Sequence, residues 1–184
     1  MELKFFSECP ADLAEKAEQF GLENFTEEEE RTPDNIARER ERFFSQPEAW
    51  LLVFEKDEII GQIFLHRRRI RHNEKDIVLG GIGKVCTRRD RRKQGVATMM
   101  LKEAMERLKE WGCDAAFLCA DIEKIGSLYG RVGFVPLNKP YAYHGRSGRL
   151  YEENNGLIAP LNSLSVFKEV LNSKKKLFLG AGNW

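Results

Sequence analysis

The run Val85-Cys86-Thr87-Arg88-Arg89-Asp90-Arg91-Arg92-Lys93-Gln94-Gly95-Val96-Ala97-Thr98 concentrates residues able to hold a polyanion. An apolar, strand-like stretch precedes it, and from Val96 onward apolar residues recur at three and four, the period of a helix. A helix start carries several backbone N–H groups without intrahelical partners and roughly half a positive charge, so it accepts a phosphate or pyrophosphate. Gly95 and the small Ala97 let such an anion approach the main chain, while Arg92, Lys93 and Thr98 add charge and a hydroxyl donor. A glycine turn alone says little; set between a strand, a helix and cations it points to anion binding.

The elements that must position this segment follow from periodicity. Residues 3–6 read as a strand, and Leu13, Ala14, Ala17 and Phe20 sit at helical spacing until Gly21, which is expected to stop the helix. The acidic run Glu27-Glu28-Glu29-Glu30 precedes a helix opened by Pro33 and carried through Ile36, Ala37, Arg40, Phe43 and Phe44 to Pro47. Residues 50–55 and 59–65 read as a hairpin about Lys56-Asp57-Glu58. The basic run from His66 to His72 reads as a charged link. Residues 77–86 form the next strand, whose Gly80, Gly81 and Gly83 imply a bulge or the close approach of another backbone.

Val96, Met99, Met100, Ala104, Leu108 and Trp111 predict an amphipathic helix ended by Gly112. An apolar strand over 115–120 and a helix over 122–132, stopped by Gly133, follow, and this alternation implies parallel pairing. Asn155-Gly156, between Leu150-Tyr151 and Leu157-Ile158, is a hairpin turn signal. No repeat or linker interrupts the 184 residues, a length that suits one domain over 1–184.

Hydrophobic residues at 42% and charged residues at 32% fit a folded chain with a core. Lys and Arg number 30 against 29 Asp and Glu, a net charge of +1 that gives no global attraction to nucleic acid or an anionic membrane. No apolar run approaches the roughly 20 residues of a membrane span. The opening residues lack the pattern of a signal peptide, so a cytoplasmic protein is expected. Cys9, Cys86, Cys113 and Cys119 fall singly beside three His, which predicts neither a metal site nor a disulfide framework, but reduced and mostly buried thiols.

Arg92, Gly95 and Ala97 resemble the signature Gln/Arg-x-x-Gly-x-Gly/Ala of the GNAT acetyltransferases. Leu128-Tyr129-Gly130-Arg131-Val132-Gly133-Phe134 is similar to that family's Phe-Tyr-x-x-x-Gly-Phe segment, about thirty residues downstream. The resemblance is sharp over residues 79–136 and topological elsewhere. It implies an α/β (α+β) fold with a mixed, mostly antiparallel central sheet, splayed at two parallel strands and flanked by helices. It implies an acetyl-CoA-dependent N-acetyltransferase in which main-chain groups of Val85, Cys86 and Thr87 pair with the pantetheine arm. By the same resemblance Arg92, Lys93, Gln94, Gly95, Val96, Ala97 and Thr98 wrap the pyrophosphate of coenzyme A. Asp121 stands where many relatives carry an Asn facing the cofactor, a departure from the family pattern.

Acetyl transfer to an amine needs the amine neutral, an oxyanion held and the departing thiolate protonated or solvated. The resemblance makes Tyr129 the acid; a phenol near ~10 giving a proton to a thiolate near ~8.5 is uphill by about 2 kcal/mol, so Tyr129 is either tuned or merely hydrogen-bonds. Gly80-Gly81-Ile82-Gly83 holds no carboxylate where some relatives place a glutamate base. The ending Leu177-Phe178-Leu179-Gly180-Ala181-Gly182-Asn183-Trp184 resembles the apolar tails of aminoglycoside 2′-N-acetyltransferases and related multi-acetylating members, whose terminal carboxylate reaches the acceptor. The Trp184 carboxylate is therefore the candidate base, against an ordinary frayed terminus.

The expected acceptor is a primary amine of a small polyamine or aminoglycoside-like molecule, which Glu27 to Glu30 would suit. Open beside it stand acetylation of a protein N-terminus or lysine, a non-catalytic acyl-CoA sensor, and an acetyl-cysteine route through Cys119 or Cys86. Relatives often pair through C-terminal strands, so the resemblance also implies a homodimer.

Overall fold

A computed structural model describes residues 1–25 and 32–184; the acidic run Glu27 to Glu30 lies outside the described residues. In chain order the elements are β1 (Glu2–Phe6), α1 (Ala11–Phe25), α2 (Pro33–Arg42), β2 (Ala49–Glu55), β3 (Glu58–His72) and β4 (Lys75–Thr87). A short 3-10 turn (Arg89–Arg91) leads to α3 (Val96–Glu110), β5 (Ala115–Cys119), α4 (Ile122–Gly130) and β6 (Val135–Pro136). The chain closes with β7 (Tyr141–His144), β8 (Leu150–Glu153), β9 (Gly156–Pro160), α5 (Leu164–Asn172) and β10 (Leu177–Ala181).

Seven strands form one sheet in the order β1-β2-β3-β4-β5-β9-β6, and three form a second in the order β10-β7-β8. The large sheet is antiparallel except between β4 and β5. These two pair only at Leu79 with Ala115, Gly80 with Ala116 and Gly81 with Phe117. Beyond that point β4 runs on to Thr87 and β5 to Cys119 with no further pairing between them, so the sheet splays open. The expected mixed sheet split at two parallel strands is the one observed.

One face of the splayed region is covered by α3, whose Met100, Leu101, Ala104 and Leu108 are fully buried with Leu51, Ile63, Leu65 and Ile82. Each such large side chain removed from water contributes about 1.5–3 kcal/mol. Gly80 faces this helix, since a Cβ there would meet the Leu108 methyls at 2.9 Å. Gly81, one position on, points to the opposite face, as strand alternation requires. The bulge expected from these glycines is present: between the pairs Gln62–Cys86 and Phe64–Gly83, β4 carries one extra residue, and Lys84 there has φ 51°.

Several local expectations are corrected by longer-range packing. Gly21 does not stop α1; it lies inside the helix, where a Cβ would sit 2.8 Å from Gln62 Nε2, so the glycine gives the side chain beneath it room. The helix from Pro33 ends at Arg42, and Phe43 and Phe44 leave it to wall a cavity. The basic run from His66 to His72 is no link but the far half of β3: His66, Ile70 and His72 are buried while Arg67, Arg69 and Arg71 are exposed, a strand's alternation. Asn155-Gly156 does not close a hairpin, because β8 pairs with β7 and β9 pairs with β5 and β6 in the other sheet. Helix α5 and strand β10 carry no expectation from the sequence.

Candidate active site

Helix α3 begins at Gly95, whose φ of 84° and ψ of −2° are left-handed and inexpensive only for glycine. Lys93, two residues earlier, is also left-handed at φ 63°. The first helical N–H to find a carbonyl behind it is that of Met99, on Gly95 O at 3.0 Å. The N–H groups of Val96, Ala97 and Thr98 therefore open the helix without intrahelical acceptors, and no side chain caps them. Around Gly95 nothing lies within 4 Å of where a Cβ would be. A cavity of about 920 Å³ adjoins this helix start, lined by Gly95, Thr98, Lys102, Arg131 and Gly133 among others. Lys102 and Arg131 were not singled out in the sequence; for Lys102 the signal was its place one turn after Thr98.

Two of the expected phosphate ligands have other work in the structure. Arg92 donates from Nη2 to the Asn24 carbonyl (2.7 Å) and from Nε to the Thr87 carbonyl (3.3 Å), tying the end of α1 to β4. Gln94 donates to the Asp90 carbonyl at 3.1 Å and so braces the 3-10 turn. Along the splay, Cys86 and Thr87 pair with β3 while Val85 falls in the bulge, and on the other side none of the three pairs with β5. The Thr87 hydroxyl is buried there without a partner. An unpaired strand edge, an orphaned hydroxyl and an uncapped helix start fit the extended amide arm and diphosphate of coenzyme A.

Asp121 is the N-cap of α4, its carboxylate accepting from Lys124 N at 3.1 Å. That bond, more than the nearby Lys124 ammonium, holds its pKa below the usual carboxylate range. Its side chain is spent on the helix start, unlike an amide turned toward a cofactor. At the other end of α4 the Tyr129 carbonyl accepts from Val132 N (3.0 Å) and Phe134 N (3.2 Å), with Gly133 at φ 93° making the reversal. This is the local reason for the Tyr-x-x-x-Gly-Phe spacing. The Tyr129 ring is buried edge-on to Phe134, and burial first, Cys119 second, push its phenol above the ordinary value.

Trp184 is no frayed terminus: it is 5% exposed. Its indole Nε1 donates to Phe117 O at 3.2 Å, and the ring is stacked on His66 (5.7 Å, 16°) and covered by the Arg68 guanidinium at 4.5 Å. A Cβ on Gly81 would overlap the indole, and one on Gly83 would meet the Trp184 carbonyl carbon at 2.9 Å and His66 Nε2 at 3.3 Å. The close backbone approach expected at these glycines is thus made by Trp184. The Cys119 thiol lies 3.6 Å from the main-chain oxygen of Trp184. Cys119, at the end of β5, also acts electrostatically on Tyr129, so the fold brings Tyr129 and Trp184 into one region.

Asn183, fully buried, fixes the approach of the tail. Its Nδ2 donates to Tyr141 OH (3.0 Å) and its main-chain N–H to Arg42 O (2.8 Å). Tyr141 and Tyr143 donate to Glu153 at 3.2 and 2.5 Å, and Glu153 also pairs with Arg42. Sequence reasoning missed this network and missed His66. The His66 Nδ1 faces Gln46 O at 3.2 Å, an acceptor only, which assigns the proton to Nδ1 and leaves Nε2 a lone pair. Burial, then Arg68, pushes His66 down to about 3, so the ring is neutral.

On this face of β4 lies a cavity of about 600 Å³, floored by Trp184, Asn183 and His66 and walled by Phe43, Phe44 and Phe64. The splay joins the uncapped start of α3 on one side of the sheet to an open-mouthed chamber, walled in part by aromatic rings, on the other, an arrangement with room for two substrates. Residues 16–137, well over half of the chain, match the family model of the acetyltransferase (GNAT) domain, and the protein belongs to that family.

Among curated proteins the chain is similar to an N-alpha-acetyltransferase, MAK3 of Arabidopsis thaliana, 26% identical over 127 residues that cover 66% of this chain and 63% of that one. Among solved structures it is similar to Eis1 of Mycobacterium abscessus (TM-score 0.56, 14% identity), where the match covers 77% of this chain and 32% of that one, about a third of its length. It is also similar to the Escherichia coli YhbS protein in complex with CoA (TM-score 0.59, 17% identity, 97% and 88% covered). At these identities the structural likeness is one of fold. Among the described residues no helix is long and apolar enough to cross a membrane, and no group of three His, Cys, Asp or Glu is placed to hold a metal.

Proposed function

We propose that the protein transfers acetyl directly to a small primary amine held in the 600 Å³ chamber, with Trp184 and Tyr129 on either side of the reacting centre. The observation that carries this reading is the seat of Trp184: its main chain stands at Gly83 and Cys119, where the splay meets the chamber. Bound acetyl-CoA supplies an activated thioester. The Trp184 carboxyl group takes the proton that the acceptor nitrogen loses as its bond to the acyl carbon forms. Tyr129, with its pKa raised by burial, is a poorer proton donor than a free phenol and acts through a hydrogen bond to the developing thiolate.

Val96, Ala97 and Thr98 N–H groups hold the diphosphate, with Lys93 and Arg92 beside them, while Val85, Cys86 and Thr87 align the pantetheine arm. Asp121 contributes by fixing the start of α4, and through it Tyr129. The polyamine or aminoglycoside-like acceptor implied by the resemblance suits the buried tail but not the charge of the chamber, taken up below.

The test is thiol release from acetyl-CoA against a panel of amines. Deleting Trp184 is expected to lower kcat by roughly 10²-fold or more at saturating amine, the usual worth of a general base, with coenzyme affinity kept. Unchanged turnover would remove Trp184 from the mechanism, and coenzyme binding without release on any amine would make the protein a sensor. The match to MAK3 favours one second reading, acetylation of a protein N-terminus. That reading predicts turnover of short peptides in preference to every small amine.

A further inference from the structure

We infer that the acceptor amine carries an anionic group, a carboxylate or phosphate, which binds among Arg38, Arg40 and Arg146 at the mouth of the chamber while the amine reaches its floor. This rests on the amine-acetylation reading above and names the substrate class of that same site.

The chamber lining holds five cations, Arg38, Arg40, Arg42, Lys84 and Arg146, against three carboxylates, those of Glu18, Glu39 and the Trp184 main chain. Two of the five are already matched: Arg42 pairs with Glu153, and Lys84 lies 3.7 Å from Glu39. Arg38, Arg40 and Arg146 lie within ion-pair distance of no carboxylate among the described residues; Glu41 is close enough to Arg146 to feel its charge, which leaves Arg38 and Arg40 the least compensated cations of the wall. Arg146 is also oriented, its guanidinium lying over the Phe44 ring at 5.2 Å, and Phe44 lines the same chamber.

These arginines are not the diphosphate site. The chamber shares no lining residue with the cavity beside Gly95, and it lies on the face of β4 opposite α3. A polycation entering the chamber meets like charge, whereas an amine with an anion at its far end is drawn in and oriented amine-first. The same cations favour the neutral form of an amine bound near them, which is the form that attacks. The three arginines are exposed at the rim and Trp184, Asn183 and His66 are buried at the floor, which sets the direction of entry.

The experiment uses amines that differ only at the far end: pentane-1,5-diamine, pentylamine, 5-aminopentanoate and 5-aminopentyl phosphate. Thiol release and calorimetry in the presence of CoA are measured on the whole chain. We expect kcat/KM for the carboxylate or phosphate member to exceed that of the diamine by at least about tenfold, and the ratio to shrink in high salt. The double variant Arg38→Ala/Arg146→Ala should collapse that ratio about tenfold, and Arg146→Glu should reverse it. A diamine preferred by the wild type, or a ratio untouched by these variants, overturns the inference. If no amine is turned over but the anionic members bind more tightly than the diamine through Arg146, the anion site stands and the amine-acetylation reading falls. Absence of anionic-member binding sinks the anion site itself. Which of the two anionic members leads tells a carboxylate acceptor from a phosphorylated one.

Discussion

Trp184 bridges Gly81 and Phe117, the last residues at which β4 and β5 are paired. Its indole fills the space a side chain on Gly81 would need, and its Nε1 holds the Phe117 carbonyl at 3.2 Å. The residue thus sits at the fork of the splayed sheet. Replacing Gly81 by Ala forces a methyl into the indole. Overpacking of this kind costs about 1–3 kcal/mol, and moving Trp184 is expected to lower turnover as well. Urea denaturation and thiol release together check it; a variant unchanged in both would show that the tail can leave its seat freely.

Gln62 presents the opposite situation, a polar side chain with no exposure whose amide oxygen and nitrogen both lack partners beneath α1. Desolvating an amide without replacing its hydrogen bonds is unfavourable, and Leu has nearly the same volume. Gln62→Leu should therefore stabilise the fold by about 1–2 kcal/mol. A lower denaturation midpoint would mean that the amide is satisfied in solution.

His66 gives stability a pH dependence. Burial holds its pKa at about 3 in the folded protein, against 6.5 ordinarily. Between those values the unfolded chain takes up a proton at this residue and the native chain does not. The contribution is complete above about 6.5 and is lost as pH falls toward 3, at about 1.4 kcal/mol per pH unit. His66→Gln removes that slope. Denaturation midpoints from pH 7 to pH 4 should fall less steeply in the variant, and parallel slopes would contradict the buried neutral imidazole.

Cys119 lies against the Trp184 main chain, yet burial pushes its thiol above the ordinary value despite hydrogen bonds with Tyr141 and Asn183. A thiol held neutral is a poor nucleophile. Cys119→Ser, which keeps the hydrogen bond to the Trp184 main chain, is expected to retain turnover within about threefold. Loss of all activity, or an acetylated Cys119 trapped by mass spectrometry, would restore the acetyl-cysteine route.

The start of α3 and most of the element order were legible in the sequence, because these depend on neighbours in the chain. Gly95 before Val96 marks a helix start, apolar residues at three and four mark α3, and the Tyr129 to Phe134 spacing marks the turn that ends α4. Period and cap chemistry are local, and so they are legible. Five other features lay beyond it. Gly21 looks like a stop signal until Gln62 lies under it, and the arginines after His66 look like a link until β4 pairs with them. Asn155-Gly156 looks like a hairpin until each flank finds a different sheet. The seat of Trp184 on Gly81 and the gathering of Arg38, Arg40 and Arg146 around one chamber were decided only by tertiary structure. Contacts between residues far apart in the chain leave no periodic trace in either partner, and the burial that stabilises them exists only once the sheet has closed around them.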